Sequence, residues 1–321
     1  MSDGFSAAST AASVAAISAR DLVKSYGSVE AVKGVSFDVD SGETFGLLGP
    51  NGAGKTTTIS MLCTMTIPTG GSASVAGFDV VAQPAEVRRQ IGLVFQASTV
   101  DDYLTAMQNL RFHAVLYSLP KKGLSDRLRQ VLDLVGLWDR RASRVRTFSG
   151  GMKRRLEIAR GLLHSPRVLF LDEPTVGLDP QTRNRIWEYV DELKQREAVT
   201  IFLTTHYMDE AEHCDRIAII DGGRLVVMDT PAALKAAVGR DRIELHTDDD
   251  DAAVSRLAER FGLAATSAGG TVTTQVANGE RVVPQLCAGL GLAVYSVNVI
   301  RPSLDDVFMA HTGRAIRDSG M

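Results

Sequence analysis

Cysteine is nearly absent from this 321-residue sequence. The three present, Cys63, Cys214 and Cys287, are odd in number and far apart, a pattern that forms neither a disulfide framework nor a zinc cluster. A reducing cytoplasm is the compartment expected from them. Long apolar runs are missing as well, since stretches such as Val168 to Leu171 fall far short of the roughly 18 to 20 apolar residues a membrane-spanning helix needs. No crossing of a bilayer is expected. Positive charge is not in surplus: Lys+Arg 35 against Asp+Glu 38 leave a net charge of -3, which argues against a surface built to hold nucleic-acid phosphates. The Ala/Ser-rich start lacks the basic residues and bulky apolar run of a secretory signal, so residues 1–16 are expected to form a disordered tail. What the sequence does have is core material, 45% hydrophobic against 23% charged, enough for one large α/β domain and a small one.

From Ile17 the pattern turns strand-like, and Ala31 to Asp40 alternates apolar and polar residues as a half-buried antiparallel strand does. Thr44 to Leu48 is a short apolar strand that runs without a gap into a glycine-rich loop and a helix from about Gly54. Further buried strands are expected at Ile91 to Phe95, Val168 to Leu171, Thr200 to Thr204 and Ile217 to Ile220, with helices between them, the signature of a parallel sheet. Between Ala97 and Thr147 strands give way to helix-period sequence such as Leu124 to Leu137, read as an inserted helical subdomain. The composition shifts after Pro231, which places the end of the large domain (17–237) near Ala237. Residues 238–321 then read as a small βαββαβ unit: strand Arg242 to His246, helix Ala252 to Phe261, hairpin Ala265 to Val276, helix Arg281 to Gly289, strand Ala293 to Ile300. Asp248 to Asp251 could imitate a cation site, but a solvated helix N-terminus accounts for the run more simply.

Chemistry concentrates in a few motifs. Gly49-Pro50-Asn51-Gly52-Ala53-Gly54-Lys55-Thr56 fits G-x-x-x-x-G-K-[ST] between a strand and a helix, a phosphate-binding loop. Its backbone N–H groups converge on phosphate oxygens, Lys55 reaches the β and γ phosphates, and Thr56 offers a hydroxyl to Mg²⁺. Arg167 to Glu173 is an apolar strand that ends in two carboxylates. Alone, such a pair starts a solvated loop; beside a phosphate loop in the same sheet, Asp172 would help hold Mg²⁺ and Glu173 would orient or deprotonate the attacking water. Ser149-Gly150-Gly151 opens a helix, Met152 to His164, as a plain N-cap or an anion site, and Lys153, Arg154 and Arg155 read as a solvated face.

Taken together, GPNGAGKT, FSGGM, LFLDEP, VGLDP and TTH resemble, in order and spacing, the nucleotide-binding subunit of ATP-binding cassette (ABC) transporters. The resemblance implies a P-loop NTPase fold, with a RecA-like core, an antiparallel β subdomain and an α-helical subdomain, followed here by a small C-terminal α+β domain. It assigns ATP binding to Gly49 through Thr57 and adenine stacking to Tyr26, and makes Gln96 the Q-loop glutamine near Mg²⁺ and water. His206 becomes the switch histidine, Ser149, Gly150 and Gly151 the signature that contacts ATP on a second subunit, and Asp179 the D-loop aspartate. Lys55, Gln96, Glu173 and His206 then carry catalysis, and Thr56, Gln96 and Asp172 the metal. Two departures stand out: Phe148 and Met152 stand first and fifth in the signature where leucine and glutamine are usual, and Val176 replaces the small serine often found at the start of the D-loop.

SGGMKRRLEIARGLL, THYMDEAE, DTPAAL and PSLDDVF resemble the daunorubicin-resistance branch, which implies export of a drug or lipid. That resemblance implies ATP and Mg²⁺ as cofactors, a head-to-tail dimer with a second copy, separate multispan permeases, no nucleic acid, and a place on the cytoplasmic face of the membrane. Residues Ala97 to Pro120 would help receive a permease coupling helix. The competing readings are a soluble ATPase of the same superfamily, an importer subunit, and a regulatory module without turnover. Neither a second cassette nor a zinc or coiled-coil insertion is visible to support the first of these.

Overall fold

The computed structural model describes residues 15–313, and contacts divide them into two units between Asp229 and Thr230. Most of the expected N-terminal tail lies outside these residues. Ala15 and Ala16 are the exception: Ala15 pairs with Asp40 and Ala16 is buried, so the first strand begins two residues ahead of Ile17.

The first unit begins with β1 (Ala15–Tyr26), β2 (Val29–Asp40), β3 (Thr44–Leu48), α1 (Lys55–Leu62), β4 (Gly70–Val75) and β5 (Phe78–Asp79). It continues with α2 (Pro84–Gln90), β6 (Ile91–Val94), α3 (Ala106–Leu116), α4 (Leu124–Leu134), α5 (Gly150–Leu162) and β7 (Val168–Asp172). It closes with α6 (Pro180–Glu197), β8 (Thr200–Thr205), the single turn α7 (Met208–Ala211), β9 (Arg216–Asp221) and β10 (Arg224–Asp229).

Two sheets result. The antiparallel one runs β2-β1-β4-β5 and buries Val35, Phe37 and Val39 on alternate positions of β2, as period-2 sequence requires. The alternation slips between Val32 and Val35 because Gly34, at φ +79°, is passed over where Leu22 pairs with Val35 and Val23 with Lys33. The second sheet runs β10-β9-β3-β8-β7-β6, parallel from β9 to β6, with β10 as an antiparallel edge. Every residue of β3, β7 and β8 is buried, which is why their middles, Phe45 to Leu48, Val168 to Leu171 and Ile201 to Leu203, read as apolar runs. Phe37, Phe45 and Phe202 stack with ring centroids 5.5 to 5.9 Å apart and tie the two sheets into one core.

The second unit holds α8 (Pro231–Val238), β11 (Asp241–Thr247), α9 (Asp250–Phe261), β12 (Ala265–Ala268), β13 (Thr271–Val276), α10 (Gly279–Gly289), β14 (Val294–Ile300) and α11 (Leu304–Thr312). Its sheet, in the order β12-β13-β11-β14, is antiparallel throughout, so the expected βαββαβ unit has ferredoxin-like strand order. Composition placed the domain boundary near Ala237, in the last turn of α8; the contact division falls before that helix, because α8 packs on α11. Asp249 caps α9 by accepting from the Ala252 amide at 3.0 Å, the helix-terminus role expected of the acidic run. Among the described residues no helix is long and apolar enough to cross a membrane.

Candidate functional site

The phosphate loop follows β3, Gln96 follows β6, Asp172 and Glu173 end β7, and His206 follows β8. Four neighbouring parallel strands therefore deliver their motifs to one edge of the sheet, the carboxyl edge, where α/β sheets bind ligands. The loop between β3 and α1 needs its glycines. Gly52 and Gly54 sit at φ +80° and +108°, and a Cβ on Gly49 would lie 2.3 Å from the Ile220 carbonyl oxygen.

Lys55 is buried, and its ammonium donates to the carbonyls of Gly49 and Pro50 at 2.7 and 3.1 Å. It also pairs with Glu173 Oε1 at 3.2 Å. Burial lowers its pKa and the adjacent Glu173 carboxylate opposes that shift. Glu173 is the point of convergence. Gln96 Nε2 donates to Oε2 at 3.0 Å, and His206 Nδ1 stands 3.3 Å from Oε1. Its backbone adopts φ +45°, uncommon for a residue with a Cβ and the kind of strain that persists where surrounding bonds over-determine it. The Glu173 N–H donates to Thr204, both carbonyl and hydroxyl, at 3.2 and 3.1 Å.

Asp172 Oδ1 accepts from the Thr204 hydroxyl at 2.5 Å and from the Thr56 hydroxyl at 3.4 Å. Thr56, Asp172 and the Gln96 amide thus offer an oxygen-rich donor set, the chemistry that suits a hard divalent cation such as Mg²⁺. Above them lies a cavity of about 790 Å³ lined by Tyr26, Ala31, Asn51, Gly52, Gly54 to Thr57, Gln96, Glu173, Val176, His206 and Tyr207. Tyr26 is half exposed, with Lys24 Nζ 5.0 Å from its ring centre.

The serine-glycine motif stands apart from this cavity. Ser149 caps α5 by accepting from the Met152 amide at 3.3 Å, Ser149 and Gly150 are exposed, and Gly151 is pressed against Thr182. Asp179 caps α6 by accepting from the Thr182 amide at 3.0 Å, and these bonds hold its carboxyl below the usual range. Ala53 is buried, its N–H bonded to the Pro50 carbonyl at 3.2 Å.

One expectation is overturned. Arg154, read as part of a solvated face, is 6% exposed and donates into the loops that carry Gln96 and Glu173. Arg155 is half-buried and donates to the Val135 carbonyl and the Tyr189 hydroxyl, both at 2.9 Å, while Lys153 pairs with Asp102. A signal for Arg154 existed: on a helix it is in phase with Gly151, Ile158 and Gly161, all buried.

Glu210 was also missed. It is 1% exposed and accepts from the Thr205 hydroxyl at 2.6 Å, while its other oxygen makes no hydrogen bond and forms a long ion pair with Arg183 Nε at 4.0 Å. Burial raises its pKa from 4.5 to about 7, against the lowering effects of the Thr205 bond and Arg183. Between those values the folded protein keeps a proton that the unfolded chain has released, so this group makes stability fall as pH rises. Glu210→Gln cannot ionise. Its unfolding midpoint relative to wild type is expected to climb as pH goes from 4.5 to 7, and parallel midpoint curves would exclude the buried acid.

Comparison with known proteins agrees with this arrangement. Residues 32–176 match the family profile described as ABC transporter, and residues 230–312 match the C-terminal domain of DrrA1-3-like ATP-binding proteins. The chain is 38% identical over 317 residues to the linearmycin resistance ATP-binding protein LnrL of Bacillus subtilis, covering 94% of this chain and 100% of that one. It is 40% identical over 311 residues to the daunorubicin/doxorubicin resistance ATP-binding protein DrrA of Streptomyces peucetius, covering 94% of each. A solved ATP-binding subunit of an ABC transporter superposes with a TM-score of 0.61 at 32% identity, over 69% of this chain and 92% of that one. A phosphate loop, two carboxylates, a glutamine and a histidine at one sheet edge, with relatives matched over nearly the whole length, make this chain a member of the ABC transporter family, an ATP-binding cassette ATPase with a DrrA-like C-terminal domain.

Proposed function

We propose that ATP hydrolysis at this cavity powers export of a hydrophobic drug- or lipid-like molecule through separate membrane permease subunits. The observation that carries the reading is the meeting of Lys55, Gln96 and His206 on the Glu173 carboxylate, directly behind the phosphate loop. The triphosphate would lie along Gly49 to Thr57, with the adenine on the exposed face of Tyr26. A γ-phosphate oxygen entering the loop competes with the Gly49 and Pro50 carbonyls for the Lys55 ammonium.

Glu173 then orients the attacking water and takes its proton, Gln96 fixes one carboxylate oxygen, and His206 stands beside the other toward the γ-phosphate. Thr56, Asp172 and Gln96 would hold Mg²⁺, which supplies neutralisation of the phosphate charge. Because Ser149 and Gly150 are exposed and neither they nor Gly151 lines the cavity, we assign the three, with Asp179, to the nucleotide of a second copy in a head-to-tail dimer.

The names of the relatives support export: beside the drug-resistance ATP-binding proteins stands a Nod factor export ATP-binding protein of Burkholderia orbicola, 38% identical over 309 residues. Docking on a permease is assigned to the segment after Gln96, where Tyr103, Phe112, Val115 and Leu116 are exposed; this would hold the chain at the cytoplasmic face of the membrane. The unit from Thr230 is assigned an accessory role. The test is co-expression with any multispan membrane protein found encoded in an adjacent reading frame. Detergent-stable co-purification and faster ATP turnover in the complex are expected; loss of the membrane protein on washing, with turnover unchanged by it, would overturn the transport role.

A further inference from the structure

Arg154 and Glu157 are an ion pair inside the protein, 6% and 2% exposed, on the helix that opens at Ser149. Burying two charges is costly, and as a device for stability alone such a pair is generally matched by apolar residues of similar size. Its bonding gives it another use. Arg154 carries five N–H donors, and each is engaged: Nε to the Pro174 carbonyl at 2.6 Å, Nη1 to the Phe95 carbonyl and to Glu157 Oε2 at 3.1 Å, Nη2 to the carbonyls of Asp172 and Glu173 at 3.1 and 3.3 Å. Glu157 uses its second oxygen to accept the Thr99 N–H at 2.7 Å. One turn further along, Arg160 donates to the Thr99 hydroxyl and to the Leu93 carbonyl.

The helix therefore grips two loops at once. One is the segment from Leu93 to Thr99, with Gln96 at its centre; the other is the turn from Asp172 to Pro174, with Glu173 at its centre. Carbonyls of residues 172, 173 and 174 all point at one guanidinium, which accounts for how Glu173 is kept at φ +45°. The Gln96–Glu173 contact of 3.0 Å is set by two backbones that share this one anchor. Residue 154 also lies little more than one helical turn from the Ser149 cap, so the anchor and the exposed helix end move as one rigid piece.

We propose that the buried Arg154–Glu157 pair is a positioning hub that converts displacement of the Ser149 end of α5 into a change of the Gln96–Glu173 geometry. Neither residue touches the cavity, so both act through Gln96 and Glu173. The hub rests on the reading of Gln96 and Glu173 as the groups that handle the attacking water. It predicts that what binds at Ser149 is felt at the hydrolytic carboxylate of the same chain, without passing through the bound nucleotide of that chain.

The test uses full-length protein and three variants. Arg154→Lys keeps the charge but has a compact ammonium in place of the planar fork; Arg154→Met/Glu157→Leu removes both charges together, which avoids leaving either buried alone. For both, the KM for ATP is expected to stay within about threefold of wild type while kcat falls about tenfold for lysine and about a hundredfold for the double variant, the scale of an ångström-sized misplacement. Cooperativity in ATP is expected to disappear in the double variant. A merely structural role would lower the unfolding temperature without this split between kcat and KM.

Wild-type kcat and cooperativity in folded Arg154→Lys or in the folded double variant would overturn the hub. If the double variant does not fold, the lysine variant decides alone. Glu173→Gln, measured in parallel, separates the two readings: full turnover there removes the site assignment itself, whereas an inactive Glu173→Gln beside a fully active Arg154→Lys removes only the hub.

Discussion

Replacing Glu173 by glutamine is expected to leave ATP binding intact and to lower turnover by about 10² to 10³-fold, the usual contribution of a positioned general base. Glutamine has nearly the same shape, so it can keep the contact with Gln96, 3.0 Å away in the native protein. What it lacks is negative charge. The native carboxylate faces Lys55 Nζ at 3.2 Å and His206 Nδ1 at 3.3 Å, and as an anion it can accept a proton from water, which a carboxamide does not do. Loss of the Lys55–Glu173 pair also frees the ammonium for phosphate, which favours retention of ATP over its release. Steady-state turnover at saturating ATP, together with equilibrium binding of ATP, checks the prediction. The variant is further expected to elute as an ATP-dependent dimer, and wild-type turnover would remove Glu173 from the mechanism.

Lys55→Ala should do the opposite and abolish binding before chemistry. The ammonium is 4% exposed and already desolvated, so its preference for an anion is strong. Charge-assisted hydrogen bonds contribute about 1.5 to 3 kcal/mol each. Losing one or two to the phosphates is worth roughly 10- to 10,000-fold in affinity. Truncation also leaves the buried Glu173 carboxylate without its cation, so the unfolding temperature should drop, and Lys55→Met, which fills the same space, should lose stability to a similar degree. Titration with a fluorescent ATP analogue and a thermal melt are sufficient readouts. ATP affinity equal to wild type in either variant would mean that Lys55 does not face the phosphates.

Much of the site was legible because its chemistry is encoded locally. The phosphate loop needs its glycines within a few positions of Lys55, and the loop must join a buried strand to a helix, so one short segment states both requirements. Asp172 and Glu173 could be read for a related reason: two carboxylates closing a wholly apolar strand violate the local pattern, and such violations mark function. Gln96 and His206 were weaker. Each is an ordinary residue after a buried strand, and only the order of the surrounding motifs singled it out.

The sequence by itself determined the α/β core, the phosphate loop, the carboxylate pair and the outline of the C-terminal unit, because period, turn residues and short motifs act over a few positions. Tertiary structure alone decided that Thr204 links Asp172 to the Glu173 amide, that α8 belongs with α11, and that Arg154 is an anchor and not a surface charge. Those facts depend on partners distant in the chain; for Arg154 they are the carbonyls of Pro174 and Phe95, 20 and 59 positions away. A guanidinium in a helix is soluble by default, and it becomes a buried hub only where the fold brings enough carbonyl oxygens to replace water.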